Sequence, residues 1–129
     1  MDPAEALAEL KQVSSQVDRV CIARLDGTLE ATTLPERPIA ERLLGAARAM
    51  VDAADRTRER LGRPVLAQLE VATPEARVFA VRDRDRMIVA TTGADPIVGL
   101  VFFDLKACLH NIAGDVLEDD TAEYPQEGA

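Results

Sequence analysis

Apolar positions along the chain switch between a helical and a strand period, and the switches mark eight segments. Ala6, Leu10, Val13 and Val17 recur at intervals of three and four, which places them on one face of a first helix. Asp2, Pro3 and Glu5 open it as N-cap, first-turn proline and capping-box partner. Residues 19–25 then read as a strand, Asp26-Gly27 as a two-residue hairpin turn, and residues 28–32 as the returning strand. The segment Leu34-Pro35-Glu36-Arg37-Pro38 breaks this pairing. A long helix follows from about Pro38 to Leu61, ended by Gly62 and Pro64. Its start is open, because Thr33 and Glu36 offer an earlier capping box while Pro38 disfavours helical geometry at Arg37.

The long helix carries Ile39, Leu43, Leu44, Ala47, Met50, Val51 and Ala54, a stripe wider than contact with one sheet requires. Ala46, Ala47, Ala49, Ala53 and Ala54 crowd its middle. Two readings stand: small side chains let a second helix approach closely, or alanine is there because it favours helix.

Three strand patterns come next, over residues 65–72, 76–82 and 86–92, joined by Thr73-Pro74-Glu75 and Asp83-Arg84-Asp85. Such short connections make an antiparallel meander. The first of the three, Val-Leu-Ala-Gln-Leu-Glu-Val-Ala, is long, apolar and free of proline, with no evident neighbour on its outer side. A strand edge of this kind is a template for pairing with another chain. Asp95-Pro96 caps a last helix with Val98, Val101, Phe102, Leu105, Leu109 and Ile112 at helical spacing, and Gly114 stops it.

A length of 129 residues suits one domain with a real core, expected over residues 1–114. The aromatic fraction of 3% makes that core one of Ala, Val, Leu and Ile. The net charge of −8 is uneven: residues 115–129 hold six acids and no base, leaving fifteen bases against seventeen acids elsewhere. A nearly neutral domain has no general attraction to nucleic acid or anionic membranes, and the acidic tail is expected to be disordered. No stretch approaches the roughly 20 apolar residues of a membrane span, and no signal peptide is evident, so a cytoplasmic protein is expected.

Candidate chemistry is sparse. The glycines at 27, 45, 62, 93 and 99 never approach the spacing of a phosphate-cradling loop, so the chain is not itself a nucleotide hydrolase. Ser14 and Ser15, the only serines, stand in no nucleophile elbow and are expected to face solvent on the first helix. Cys21 and Cys108 are far apart and match no zinc spacing, which leaves two buried thiols. His110 has no nucleophile at a telling distance in sequence. No cofactor or metal is expected, and no enzymatic activity. Arg56, Arg58, Arg60 and Arg63 form the one basic cluster, either a docking patch for an acidic partner or phosphate, or a solvated helix end favoured by the helix dipole.

The order helix, hairpin, long helix, meander, helix (α-β-β-α-β-β-β-α) fits an α+β fold, a five-stranded antiparallel sheet sandwiched between helices. With this order the chain resembles the roadblock family of dynein light chains and their bacterial relatives. The matching marks are Leu25-Asp26-Gly27, the helix end Leu61-Gly62, the strand start Asp85-Arg86-Met87-Ile88-Val89-Ala90, and Phe102, Leu105 and Leu109. The resemblance spans residues 4–114. It implies a sheet order 2-1-5-4-3 with the third strand at an edge, and a homodimer made by pairing that strand with its copy and packing the long helices together. It also implies binding of a small Ras-like GTPase, with either scaffolding or stimulated hydrolysis. The dimer interface is then expected at Leu43, Ala47, Met50 and Ala54 of the long helix and at Val65, Leu66, Ala67, Gln68, Leu69, Glu70 and Val71 of the edge strand, with Arg56, Arg58 and Arg60 as partner-binding residues. The rival reading is a small-ligand sensor module; the scarcity of aromatic residues to line a pocket weighs against it.

Overall fold

A computed structural model describes residues 1–64 and 67–112. The elements run α1 (Pro3–Val13), β1 (Val17–Arg24), β2 (Leu29–Thr32), α2 (Arg37–Arg60), β3 (Gln68–Ala72), β4 (Ala76–Asp83), β5 (Arg86–Gly93) and α3 (Val98–Ile112). The strands form one antiparallel sheet in the order β2-β1-β5-β4-β3. Element order and sheet order both match the expectation. Val65 and Leu66 of the expected edge strand, and the acidic residues 115–129, lie outside the described residues.

Each helix boundary has a local cause. At α1 the Asp2 carboxylate accepts from the Glu5 N–H at 2.9 Å while Glu5 accepts from the Asp2 N–H at 3.1 Å, the reciprocal box read from the sequence. The helix then ends at Val13. Val13 is exposed, Leu7 takes its place in the buried stripe, and Val17 is the buried first residue of β1 rather than a helical position. α2 begins at Arg37 with no side-chain cap and Pro38 in its first turn. It ends where Gly62 takes φ 69°, with Gly62 N–H donating to Glu59 O and Arg63 N–H to Arg58 O, the two bonds that satisfy a helix's last carbonyls.

The β1–β2 hairpin corrects a second detail. Arg24 N–H pairs with Thr28 O and Gly27 N–H with Arg24 O, so the loop is Leu25-Asp26-Gly27, three residues with a bulge beyond it, not two. Gly27 at φ 98° supplies the left-handed residue that such a loop requires, and a Cβ there would strike the Arg48 guanidinium.

The sheet is covered on both faces, which is why the middle of β1, residues 20–23, and of β5, residues 87–90, are unbroken apolar runs. α1 and α3 pack on one face over Val20, Ile22, Phe79, Val81 and Ile88, with Leu105 fully buried among them. Phe79 and Phe102 meet edge to face with centroids 5.1 Å apart, worth about 0.5–1.5 kcal/mol beyond the area buried. Among the described helices α2 alone covers the other face, with Ala40, Leu44, Ala47 and Val51 against Cys21, Ala23, Met87 and Val89. Cys21 and Cys108 are free, buried thiols. Burial pushes both above the ordinary value of 9.0, Cys108 to about 12, so neither is a thiolate at neutral pH.

Candidate functional site

β3 stands at one margin of the sheet and pairs with β4 alone among the described residues. It contains no proline and no lysine, the residues that commonly blunt an edge. Alternation sets its two faces. Leu69 and Val71, opposite Ala80 and Val78, point to the α2 side, and Gln68 and Glu70, opposite Val81 and Phe79, to the α1–α3 side. There Glu70 forms an ion pair with Arg77. The Ala67 carbonyl still accepts from Arg82 N–H at 2.8 Å, so the pairing with β4 extends one residue before the strand proper. Leu69, Glu70 and Val71 are only half-buried.

The wide stripe of α2 resolves into two. Ala40, Leu44, Ala47 and Val51, spaced by four, three and four, are buried against the sheet. Beside them run Ile39, Leu43, Ala46, Met50 and Ala53, at the same spacing but one position earlier, and these are half-buried or exposed. The opposite flank is polar, with Glu41, Arg48, Asp52, Asp55 and Glu59. Contacts fix the direction of each flank. Arg48 Nη2 donates to the Leu25 carbonyl at 3.0 Å in the β1–β2 loop, and Arg82 Nη2 on β4 donates to Asp55 Oδ2 at 2.6 Å. The polar flank therefore faces the hairpin ends, and the apolar flank is turned away from them. Leu43 from that flank, and Leu69 and Val78 from the sheet margin, each pack partly buried on the same core cluster.

The expected site residues are not all brought together. Leu43, Met50 and Ala54 stand on or beside the open flank, and Ala67, Gln68, Leu69, Glu70 and Val71 at the margin. Ala47 is 1% exposed, locked between α2 and the sheet, and is not available to a second helix. Ile39, Ala46 and Ala53 take its place on the open flank; the period of the stripe pointed to this row as much as to the buried one. Arg56 and Arg60, four residues apart, share an exposed face. Arg58 points to a different side, its Nε donating to the Pro64 carbonyl at 2.8 Å in the segment that follows the helix.

Among the described residues no three His, Cys, Asp or Glu side chains converge as metal ligands, and no helix is long and apolar enough to cross a membrane. His110 Nε2 lies 2.9 Å from Asp83 Oδ2 on the surface, an ion pair when the ring is protonated. Ser14, expected in solvent, is buried at the end of α1, while Ser15 is exposed.

The architecture has solved counterparts. A Roadblock/LC7 domain from Streptomyces avermitilis superposes with a TM-score of 0.79 at 11% identity, covering 91% of this chain and 99% of that one. A structure described as MglB with tetrameric arrangement gives 0.72 at 14% identity, covering 84% and 83%. The gliding protein MglB from Thermus thermophilus gives 0.69 at 13% identity, covering 86% and 88%. No family model and no curated protein matches the sequence. The chain has the roadblock/LC7 fold.

Proposed function

With that fold as premise, we propose that the chain is a homodimeric interaction protein that binds a small Ras-like GTPase and regulates or scaffolds it. The observation that carries this reading is a half-open apolar flank on α2 in a molecule whose β3 margin carries no proline or lysine. Pairing β3 with its copy and packing Ile39, Leu43, Ala46 and Met50 against their counterparts would bury both surfaces in one symmetric contact. The small Ala46 and Ala53 allow two α2 helices to approach closely. The tetrameric arrangement of one solved MglB supports self-association of this fold.

The GTPase partner is what the resemblance to the roadblock family implies, and the chain's lack of a phosphate-binding loop fits a regulator rather than a hydrolase. Arg56 and Arg60, on one exposed face near the end of α2, and Arg58 on the neighbouring face remain the residues proposed to meet the partner. The sensor reading finds little support in a chain with so few aromatic residues to line a pocket.

The test is titration of a candidate GTPase, loaded with GDP or a non-hydrolysable GTP analogue, into the protein. Regulation requires unequal affinity for the two states, because a dimer that binds both equally shifts nothing. Equal affinity leaves scaffolding alone, and no binding to either form removes the GTPase from the proposal. Where hydrolysis is stimulated, Arg56→Ala or Arg60→Ala should lower the stimulated rate and spare binding if that arginine acts on transition-state charge.

A further inference from the structure

The face opposite α2 carries its own open surface. Val13 at the end of α1 and Ile97, Leu100 and Phe103 along the start of α3 are 65%, 66%, 45% and 68% exposed. Four large apolar side chains clustered in this way are not the scattered exposure of an ordinary surface. They border a groove between the two helices, made of adjoining cavities of about 240 and 210 Å³ that share Val13 and Asp104. From Ile97 to Ala107 the row runs about 15 Å at the 1.5 Å rise of a helix, the length of some three helical turns.

The polar lining of the groove has one sign. Glu9 and Asp104 line it, Asp95 lines the cavity that continues past Ser15 and Gln16, and among the described residues no Lys or Arg lines any of the three. Lys11, the nearest base on α1, turns away to donate to the carbonyls of Val17 at 2.9 Å and Asp18 at 3.3 Å. At the foot of the groove Ser14 is 4% exposed and lines the smaller cavity, and its buried hydroxyl has no hydrogen-bond partner among the described residues.

We propose that this groove docks a basic amphipathic helix of another protein. Its apolar ridge would seat on Val13, Leu100 and Phe103, its Lys or Arg side chains would meet Glu9 and Asp104, and a polar group at its end would reach Ser14. Two adjacent helices with a channel between them present the shape that a third helix fills, with anchors at intervals of three and four. Charge selects the occupant. A second copy seated groove to groove would bring Glu9 and Asp104 against acids of their own kind, and the chain's own residues 115–129 carry six acids and no base. The groove lies across the sheet from α2, so the inference does not depend on the GTPase reading.

The experiment is fluorescence anisotropy with two labelled amphipathic helices of about 12 residues, one Leu/Lys and one Leu/Glu, of the same apolar pattern. The Leu/Lys peptide is expected to bind at least tenfold more tightly. The double variant Leu100→Ser/Phe103→Ser keeps every charge and should weaken the Leu/Lys peptide at least tenfold, with melting temperature and oligomeric state unchanged because both side chains already face solvent. Glu9→Lys/Asp104→Lys should reverse the preference between the peptides. Binding that survives Leu100→Ser/Phe103→Ser, or that ignores the charge reversal, or no binding at all, overturns the proposal. So does a change of oligomeric state in the serine variant, which would assign the face to contacts between copies.

Discussion

Asp55 on α2 and Arg82 on β4 form an ion pair, Oδ2 to Nη2 2.6 Å, with side chains only 25% and 17% exposed. The pair holds the second half of α2 to the sheet and sets which flank of the helix looks outward. A pair this shielded is screened less than a surface one, and removing one partner strands part of the other's charge. Asp55→Ala should therefore cost about 1–2 kcal/mol, a fall in melting temperature of roughly 4–8 °C for a domain of this size. A shift below about 2 °C would mean that solvent already screens the pair.

The β1–β2 loop should respond to acid through Asp26. Its carboxylate accepts the Thr28 N–H at 2.9 Å, and this bond, aided by the Thr28 side chain and the charges of Arg24 and Arg48, holds Asp26 below the ordinary carboxylate value of 3.8. A carboxyl group with a depressed folded pKa adds stability that is complete above the unfolded value and is lost as pH falls through the folded one. Melting curves of the protein and of Asp26→Asn should then run parallel above about pH 5 and converge below about pH 4, since the amide keeps an acceptor but cannot titrate. Parallel curves throughout would show that the loop does not depend on the ionised group.

What the sequence disclosed was whatever one segment determines by itself. Asp2 and Glu5 fix a helix start, Asp26-Gly27 a tight loop and Gly62 a helix end through bonds to neighbours within a few residues. What it concealed depends on the far side of the molecule. Val17 continues the helical period of Ala6 and Leu10 by coincidence, and only pairing with Thr92 makes it a strand residue. Periodicity placed both stripes of α2 on the helix but could not tell that Ala47 meets the sheet while Met50 does not, because both are apolar. On α3 the signal was present: Ile97, Leu100 and Phe103 are large apolar residues off the stripe that ends in Leu109 and Ile112, spaced by three. Nothing local says that such a second row lacks a cover.

Cys21 and Cys108 should be silent toward thiol reagents in the native state. Both are buried, and desolvation raises both thiols, so the thiolate that such reagents need is scarce even at pH 8. The sign for stability follows: an acid group raised on folding favours the native state fully below the unfolded value of 9.0 and loses that contribution as pH rises toward the folded one. Native protein mixed with an aromatic disulfide reagent at pH 8 should react at the rate of unfolding, and both thiols should appear at once in denaturant. A fast phase in native buffer would place one thiol at the surface.

The dimer is the prediction on which the functional proposal stands, and two substitutions approach it from different sides. The bonds of Arg82 N–H to Ala67 O and of Thr73 N–H to Ala76 O make the Leu69 N–H face β4, so Leu69→Pro breaks the ladder that holds β3 in the sheet and should thereby lower the dimer fraction in light scattering. Leu69 also packs partly on the α2-side core, so that variant loses some monomer stability as well. Met50→Arg avoids the difficulty. Met50 lies on the open flank of α2, outside the buried set Ala40, Leu44, Ala47 and Val51, and an arginine there can reach solvent in the monomer. Packed against a symmetric copy, it would bring a second positive charge into a contact that desolvates both, which costs far more than a surface charge does. Met50→Arg should thus be monomeric at concentrations where the parent is dimeric, at least tenfold weaker in self-association, with an unchanged circular dichroism spectrum. Should Met50→Arg remain dimeric while Leu69→Pro dissociates, the copies meet through β3 without α2. A parent protein that stays monomeric at tens of micromolar would leave the open flank and the strand margin for a partner of another kind.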